Sequence, residues 1–384
     1  MSRRKVVVGA VLLVLITFMV TTGAFVYLLQ TKSVDLLDTL KFFRAMQIIR
    51  SRYVEDVPVD TLMAGAIKGM VDSLGDPHSI YMDAKMFKDF MIETEGHFGG
   101  VGIVVGVKDK VLTVVSPIEG TPGEKSGIKS GDQIVKIDGQ ETKNMALDAA
   151  VNKIRGPEGT KVVLTIHRAG EADKDYTLTR SNIEIKTVAG KMLPNHIGYI
   201  RISMFNENTG EDFLKKYAEL EKEGMQATIL DLRDNPGGLL EESVKVANKL
   251  VPKGPIVSVV TKDGQREVHN SDLPAVKYPA AVLVNGGTAS AAEIVSGAMQ
   301  DTGSGTLIGT KTYGKGSVQT LIRLDSGTAI KLTIAKYLTP KDRSINGIGI
   351  EPDIKVEPSK EPGKDPQLDK AIEILEKAEK TNKS

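Results

Sequence analysis

The sequence contains no cysteine and only five histidines among its 384 residues. Without cysteine, the chain can form no disulfide, thiol nucleophile or cysteine-ligated zinc site. The histidines are scattered, and none pairs with another at the spacing of a zinc-binding helix. Lys and Arg total 50 against 49 Asp and Glu, so the chain lacks the basic excess that nucleic-acid binding requires. We therefore expect its chemistry to come from Ser, Lys, Asp, Glu or the backbone, with no metal or other cofactor.

A long uncharged run lies near the N-terminus, between Lys5 and Lys32. As a helix it would be about 39 Å long at ~1.5 Å per residue, more than a ~30 Å hydrocarbon core needs. Basic residues precede it, which predicts a single-pass signal anchor over residues 6–31 with a cytoplasmic N-terminus. The alternative is a cleaved signal peptide, although the run is long for one and no Ala-x-Ala follows it. In either case we expect the rest of the chain outside the cytoplasmic membrane.

Beyond this run, the hydrophobic pattern divides the chain into four parts. Residues 34–95 carry apolar side chains at helical spacing. Residues 96–181 alternate short strands with glycine turns, which is typical of a small β-rich domain. Residues 182–358 alternate strands with helices, and residues 359–384 form a linker and a charged helix. The predicted fold class is α/β multidomain, with a membrane anchor and helices, a β-rich domain and a layered α/β core.

Two glycine-containing stretches carry the strongest pattern within the β-rich part. The first is Gly100-Val101-Gly102-Ile103, and the second covers residues 126–139. Together they resemble a PDZ domain, which binds the C-terminus of a peptide by strand addition while loop N–H groups hold its carboxylate. The resemblance implies that the first stretch contacts the peptide. A turn-rich structural domain without a ligand is the alternative.

Arg155 follows the predicted helix of this domain and precedes a strand. We predict that it contacts a substrate tail or the α/β core, which would place it among the peptide-binding residues. A solvated surface arginine is the more common role for a residue of this type.

The segment from Ala281 to Glu293 has the pattern of a buried strand, a glycine turn and a helix. Ser290 stands at the start of the helix, where backbone N–H groups and the helix dipole stabilise a nearby anion. This position favours a nucleophile. However, Ser290 and Glu293 also match a capping box, whose role is structural. From these residues alone, both interpretations stay open.

A serine nucleophile needs a base, and no histidine lies in a comparable glycine-rich setting. Gly-x-Ser-x-Gly is missing as well, but a Ser–Lys pair needs neither. Lys311 and Lys315 lie in a glycine-rich run, residues 309–319, that nearly matches a phosphate-binding loop. Gly316 takes the place of the required hydroxyl, and residues 318–322 have the pattern of a strand where a helix is required. Nucleotide binding is therefore disfavoured.

Three stretches taken together resemble the carboxyl-terminal processing peptidases, a family of Ser–Lys serine proteases with a PDZ domain. These are Asp231 to Gly238, Asn285 to Glu293, and Gly314-Lys315-Gly316 with Gln319. The resemblance implies that Ser290 is the nucleophile, Lys315 the general base and Gln319 its supporting residue. It also implies a crotonase-like layered core.

This mechanism sets physical requirements that the sequence can be checked against. A lysine base must be neutral, so burial must lower its pKa from about 10.4 to roughly 7–8. Apolar residues follow both Ser290 and Lys315, and residues 302–324 contain no acidic side chain, so the sequence allows a dry pocket around the lysine. The oxyanion needs two backbone donors, and we predict the N–H groups of Ala291 and Gly237, with Gly238 as the alternative to Gly237.

The predicted function is a serine endopeptidase that cleaves extracytoplasmic proteins through an acyl-enzyme and recognises them by their free C-terminal tails. The resemblance also implies a homo-oligomer, taken as a dimer. One alternative is a PDZ adaptor with a degenerate protease fold, but an adaptor has no need of Ser290, Lys315 and Gln319 together. The other is an acyl-CoA enzyme of the crotonase type, which the membrane run and the inserted PDZ-like domain disfavour.

Overall fold

The computed structural model of the protein describes residues 3–29, 36–108, 110–325 and 327–382. The chain forms two compact units, residues 1–81 and 82–384. The first unit is helical, as its spacing predicts. Its helices are α1 (Arg3–Leu29), α2 (Leu36–Arg52) and α3 (Val59–Asp72), and strand β1 (Ile80–Met82) follows them.

The predicted membrane anchor, residues 6–31, coincides with α1 up to residue 29, and its last two residues lie outside the described residues. Within the part of the chain that the structure describes, no helix is long and apolar enough to cross a membrane. The structure therefore gives the predicted transmembrane span no support.

The second unit begins with helix α4 (Ala84–Glu95) and continues into a β-rich domain. Its further elements are β2 (His97–Gly100), β3 (Ile103–Lys108), β4 (Val111–Pro117), α5 (Pro122–Lys125), β5 (Gln133–Ile137), β6 (Gln140–Glu141), α6 (Leu147–Ile154), β7 (Lys161–His167), β8 (Lys174–Thr179) and β9 (Ser181–Glu184). The main sheet has the order β3-β4-β5-β7-β8, while β2 pairs with β9. Val114, Ile134 and Leu164 are buried in its core together with Ala150 from α6.

An α/β core occupies the rest of the second unit. Its elements are β10 (Val188–Leu193), β11 (Ile197–Ile202), α7 (Thr209–Lys222), β12 (Ala227–Asp231), α8 (Leu240–Leu250), β13 (Gly254–Thr261), β14 (Arg266–Ser271), β15 (Ala280–Val284), α9 (Ala291–Thr302), β16 (Thr306–Gly309), β17 (Ser317–Arg323), β18 (Ala329–Leu338), β19 (Ile354–Lys355) and α10 (Pro366–Asn382). The sheet has the order β10-β11-β12-β15-β16-β19 and is parallel from β11 onward.

Helices cover both faces of this sheet, which explains why its central strands are apolar throughout. Alternate side chains such as Leu230 and Val282 point into the main core, which α7, α8 and α9 share. The residues between them, such as Ile229 and Leu283, pack with Leu375 of α10 on the other face. The predicted layered α/β core is thus confirmed.

A second, antiparallel sheet pairs β17 with β18, β18 with β13 and β13 with β14. Because residues 317–323 form a strand where a phosphate-binding loop requires a helix, the structure agrees with the argument against nucleotide binding.

In the parallel sheet, loops follow the carboxyl ends of the adjacent strands β12, β15 and β16. This is the edge at which open α/β sheets hold their ligands.

Candidate active site

A cleft of about 640 Å³ lies where these loops meet. Its walls include Ser290 and Ala291 at the start of α9, Gly237 in the loop after β12, Lys315 before β17 and Gln319 on β17. The structure therefore brings together the five residues for which the sequence predicted catalytic or oxyanion roles. Much of the remaining wall is apolar and comprises Phe90, Met91, Met204, Phe205, Pro236, Leu239, Leu240, Ile294, Val318 and Leu321.

Ser290 has an unusual backbone conformation, with φ +55° and ψ −118°. L-residues rarely adopt it, so the surrounding structure must hold it in place. Its N–H donates to the Glu293 carboxylate at 2.9 Å, and its carbonyl accepts from the Tyr337 hydroxyl at 3.1 Å. Burial, with the Glu293 charge as a lesser cause, raises the pKa of Tyr337 well above its ordinary value, so this hydroxyl stays a donor.

Glu293 is fully buried and joins the nucleophile segment to the loop that carries Lys315. One oxygen, Oε1, accepts from the Thr312 hydroxyl at 2.5 Å and the Gly314 N–H at 2.8 Å. The other, Oε2, accepts from the N–H groups of Ser290 and Lys315, both at 2.9 Å. Although residues 302–324 contain no acidic side chain, α9 thus brings a buried carboxylate to the backbone of the loop that carries Lys315. The sequence indicated Glu293 as a cap and gave no sign of its contacts with the second loop.

The glycine turn after β12 lies directly against Ser290. A Cβ on Gly237 would stand 2.7 Å from the Ser290 Cβ and 2.9 Å from the Ala291 nitrogen, so no side chain fits there. The Gly237 N–H donates to Asn235 Oδ1 at 2.8 Å. Among the described residues, the N–H groups of Gly238 and Ala291 have no such acceptor. The predicted donor Gly237 is thus engaged within its own turn, whereas Ala291 and Gly238 are available.

Hydrogen bonds join the glycine turn after β12 to the loop between β15 and α9, which carries Ser290. The Asn235 carbonyl accepts from the Ala289 N–H at 2.9 Å, and the Thr288 hydroxyl donates to the Leu232 carbonyl at 2.8 Å. The Asp234 N–H donates to the Asn285 side chain at 2.9 Å. The two loops therefore form one rigid wall of the cleft.

The charged residues at the start of this turn serve a different purpose. Asp231 is fully buried and accepts from the Arg233 guanidinium at 2.6 Å and from the Tyr199 hydroxyl at 2.7 Å. Arg233 also donates to both oxygens of Asp365, just before α10, at 2.8 Å. These residues hold the C-terminal helix to the core and do not line the cleft.

The structure separates the two candidate lysines. Lys315 lines the cleft, and Glu293 holds its backbone. Lys311 is half exposed, pairs with Glu351 at 3.0 Å and is not part of the cleft wall. Gln319 donates from Nε2 to the Ser317 hydroxyl at 2.8 Å and to Thr333 Oγ1 at 3.2 Å, which fixes its side chain beside the cleft.

The predicted peptide-binding stretch lies in the β-rich domain and not in the cleft wall. The Val101 carbonyl accepts from the Gly123 N–H at 2.7 Å, and the Gly102 carbonyl accepts from the Ile118 N–H at 2.8 Å. The N–H groups of Val101 and Gly102 donate to no acceptor among the described residues. Gly100 and Ile103 flank them at the ends of β2 and β3. The stretch therefore offers donors of the kind that a carboxylate-binding loop needs.

Arg155 lies beside this glycine stretch. Its guanidinium stands 4.3 Å above the ring of Phe98 in β2, a cation–π distance, and its side chain is half buried. The next residue, Gly156, donates its N–H to the Gly99 carbonyl at 3.0 Å. Arg155 is thus held against the strand that leads into the glycine loop and is not a freely solvated side chain.

Three regions of the chain match models of known protein families. Residues 196–356 match peptidase family S41, residues 89–167 match the PDZ domain, and residues 28–86 match the N-terminal domain of the activating protease CtpB. The chain is also 43% identical to the carboxy-terminal processing protease CtpA of Bacillus subtilis (strain 168), over 83% of this chain and 68% of that protein. The chain belongs to the S41 family of carboxyl-terminal processing proteases.

Other relatives agree with this assignment. The protease is 42% identical to a carboxy-terminal-processing protease of Bartonella bacilliformis (strain ATCC 35685 / KC583 / Herrer 020/F12,63), over 83% of this chain and 74% of that one. Among solved structures, it resembles the photosystem II D1 C-terminal processing protease, with a TM-score of 0.50 and 29% identity, over 89% of this chain and 98% of that chain. The family and the enzyme class predicted from the sequence are confirmed: the protein is a serine-type carboxyl-terminal processing peptidase.

Proposed function

We propose that the protease cleaves protein substrates in this cleft through an acyl-enzyme, with Ser290 as the nucleophile and Lys315 as the general base. The observation that carries the proposal is the meeting of Ser290 and Lys315 in one cleft, with Glu293 bonded to the backbones of both. The strained backbone of Ser290 at a helix N-terminus is typical of a nucleophile presented at a sharp turn.

In the proposed reaction, Lys315 takes the proton of the Ser290 hydroxyl as its Oγ attacks the scissile carbonyl carbon. The tetrahedral intermediate collapses when the Lys315 ammonium protonates the leaving amine, and an ester on Ser290 remains. Lys315 then deprotonates a water molecule that attacks the ester carbonyl, and it returns this proton to Ser290 Oγ as the C–Oγ bond breaks and the acid product leaves. The supporting role of Gln319 is to offer its carbonyl oxygen to the ammonium, since its amide nitrogen already donates to Ser317 and Thr333.

The oxyanion of the intermediate requires two backbone donors. Ala291 supplies one at the N-terminus of α9, where the helix dipole favours negative charge. The second comes from the glycine turn. Gly237 would have to give up its bond to Asn235, whereas Gly238 would not, so this contact favours Gly238.

We also propose that residues 96–181 form the domain that selects substrates by their C-termini, and that residues 182–358 form the catalytic core. Arg155 would couple the two, and residues 34–95 and 359–384 would complete the fold around them. A homodimer rests on the family resemblance alone. The uncharged run between Lys5 and Lys32, with basic residues before it, supports export of the catalytic part across the cytoplasmic membrane, whether or not residues 6–31 remain as an anchor.

The dyad is tested by the hydrolysis of a denatured protein that has a free C-terminus. We expect Ser290→Ala and Lys315→Ala each to lower kcat by roughly 10⁴-fold or more, and the double variant to be no worse than either, because the two residues act as one unit. Lys311→Ala is the matched control and should keep most of the activity, since Lys311 pairs with Glu351 outside the cleft. Normal turnover by Lys315→Ala would exclude it as the base.

A further inference from the structure

Lys331 lies in the wall of the same cleft, on β18, and the mechanism above does not use it. Its ammonium stands 5.2 Å from the ring of Phe90, which also lines the cleft. Glu93 is the carboxylate whose charge acts on it, yet the two form no ion pair within 4.0 Å in the described part of the chain. Glu93 and Glu241 also line this largely apolar cleft, but in the described part of the chain the half-buried Lys331 forms an ion pair with neither.

Burial lowers the pKa of Lys331 below its ordinary value, and the charge of Glu93 opposes this shift only in part. The ammonium has thus lost part of its hydration without gaining a close counter-ion. An anion that enters the cleft would restore the missing partner. Hydrogen bonds between charged groups are stronger than those between neutral ones, so a substrate carboxylate would gain most at this point.

The strand register gives the separation of Lys331 from Gln319 along the hairpin. Gln319 on β17 pairs with Thr333, and Leu321 pairs with Lys331. Residues directly opposite each other in an antiparallel pair share a face, so Lys331 lies on the same face as Gln319 and two residue pairs farther from Lys315. Two residues of a strand span about 6.6 Å, and an extended substrate beside it advances at the same rate.

We propose that Lys331 is a specificity-determining residue that binds a substrate carboxylate about two or three residues from the scissile bond. The carboxylate is either the C-terminus of a short tail or the side chain of Asp or Glu. This inference rests on the proposed function, since it requires that cleavage occurs at Ser290 in this cleft.

The test uses short peptides that share one scissile bond and differ only in charge. The reference peptide is neutral and amidated. One series carries Glu two or three residues from the scissile bond on either side, and a second ends in a free carboxylate at that distance. For the wild type, we expect kcat/KM to be about tenfold or more higher for a peptide with a carboxylate in at least one position than for the neutral reference. The difference should come mainly from a lower KM.

Lys331→Met keeps the apolar stem, and we expect the preference ratio to fall to about one. Lys331→Glu should reverse it, so that a peptide with Lys at that position is cleaved faster than the one with Glu. The exposed Lys336→Met variant on the same strand is the matched control and should keep the wild-type ratio. Melting temperatures of all variants check that they fold.

The outcomes separate the two sources of the carboxylate. A preference that appears only with the free C-terminus identifies the tail, whereas one that also appears with internal Glu identifies acidic side chains. Equal ratios in the wild type and Lys331→Met would overturn the inference, even if both cleave well. By contrast, cleavage that persists in Ser290→Ala would overturn the proposed function itself.

Discussion

At the scale of single residues, the carboxylate of Glu293 receives hydrogen bonds from Ser290, Thr312, Gly314 and Lys315. It is fully buried, so each donor would lack a partner if the carboxylate were lost. An unsatisfied buried donor costs roughly 1–3 kcal/mol. Glu293 therefore fixes both the strained conformation of Ser290 and the position of the Lys315 loop relative to it.

We expect Glu293→Gln to lower kcat by about 100-fold with a smaller change in KM, because the amide replaces one acceptor oxygen with an NH₂ group that faces N–H donors. The melting temperature should fall by several degrees. Steady-state kinetics and thermal unfolding provide the measurement. Glu351→Gln is the control, since Glu351 is exposed and bonds Lys311 outside the cleft. An unchanged kcat with a lowered melting temperature would mean that Glu293 serves stability alone.

The family resemblance indicated Ser290, Lys315 and Gln319 because each stands in a short local motif. It did not indicate that Glu293 would reach the loop of Lys315, since a capping box specifies only the contacts of its own helix turn. Tyr337 and Lys331 were missed for a related reason. They reach the cleft through pairing of β18 with a distant strand, and no local pattern encodes that pairing.

At the scale of elements, the strand, glycine turn and helix predicted between Ala281 and Glu293 correspond to β15 and the start of α9. β12 and β15 are short apolar runs because both of their faces are buried, which makes them conspicuous in the sequence. β18 alternates apolar residues with Lys and Thr and is half exposed for much of its length, so its pattern resembles that of a polar connection. The strands of the parallel sheet could therefore be recognised in the sequence more readily than the hairpin of β17 and β18, which completes the cleft.

The PDZ domain provides a test at this scale. Its N–H groups at Val101 and Gly102 are open to a carboxylate, and Arg155 is stacked on Phe98 beside them. Amidation of a substrate's C-terminus should therefore slow cleavage of a tailed protein. Arg155→Ala should reduce that cleavage by about fivefold or more, while short peptides that never reach the domain are affected less.

The measurement is kcat/KM for free-acid and amidated forms of one protein substrate, compared with a short peptide. Lys153→Ala, an exposed change near the end of α6, serves as the control. Coupling requires that the occupied domain favours one of two domain arrangements. If the free-acid and amidated substrates were cleaved at equal rates and Arg155→Ala had no effect, the PDZ domain would not recognise substrate C-termini.

At the scale of the whole molecule, buried aspartates bonded to arginines join segments that are distant in the chain. Asp132 pairs with Arg168 in the β-rich domain, and Asp301 pairs with Arg343 in the core. Burial by itself would raise the pKa of each aspartate, but hydrogen bonds hold it below its ordinary value. Arg168 and the Lys129 N–H supply them to Asp132, while the Thr339 hydroxyl, the Lys341 N–H and Arg343 supply them to Asp301. The stability they contribute is present above the unfolded-state pKa, near 3.9, and is lost as the pH falls through the lower folded-state pKa.

Thermal unfolding followed between pH 7 and pH 2 tests this statement. Asp132→Asn should lower the melting temperature by a few degrees at pH 7, because it removes the charge that Arg168 and the Lys129 N–H stabilise. The gap from the wild type should close at low pH, where the wild-type aspartate is protonated as well. Asp342→Asn is the control, since Asp342 pairs with Arg266 on the surface and should matter little. A gap that stays constant over the whole range would contradict the assignment.

The residues of the proposed catalytic site come from loops after three different strands. Thr333 and Tyr337, which hydrogen-bond to Gln319 and Ser290, come later still in the chain. A nascent polypeptide therefore has no working site until nearly all of its core has been synthesised and has closed around Glu293. Local unfolding of the loop that carries Ser290 or of the loop that carries Lys315 would separate the proposed nucleophile from its base and abolish activity. On the proposed mechanism, a partly synthesised chain would therefore have no protease activity with which to digest itself.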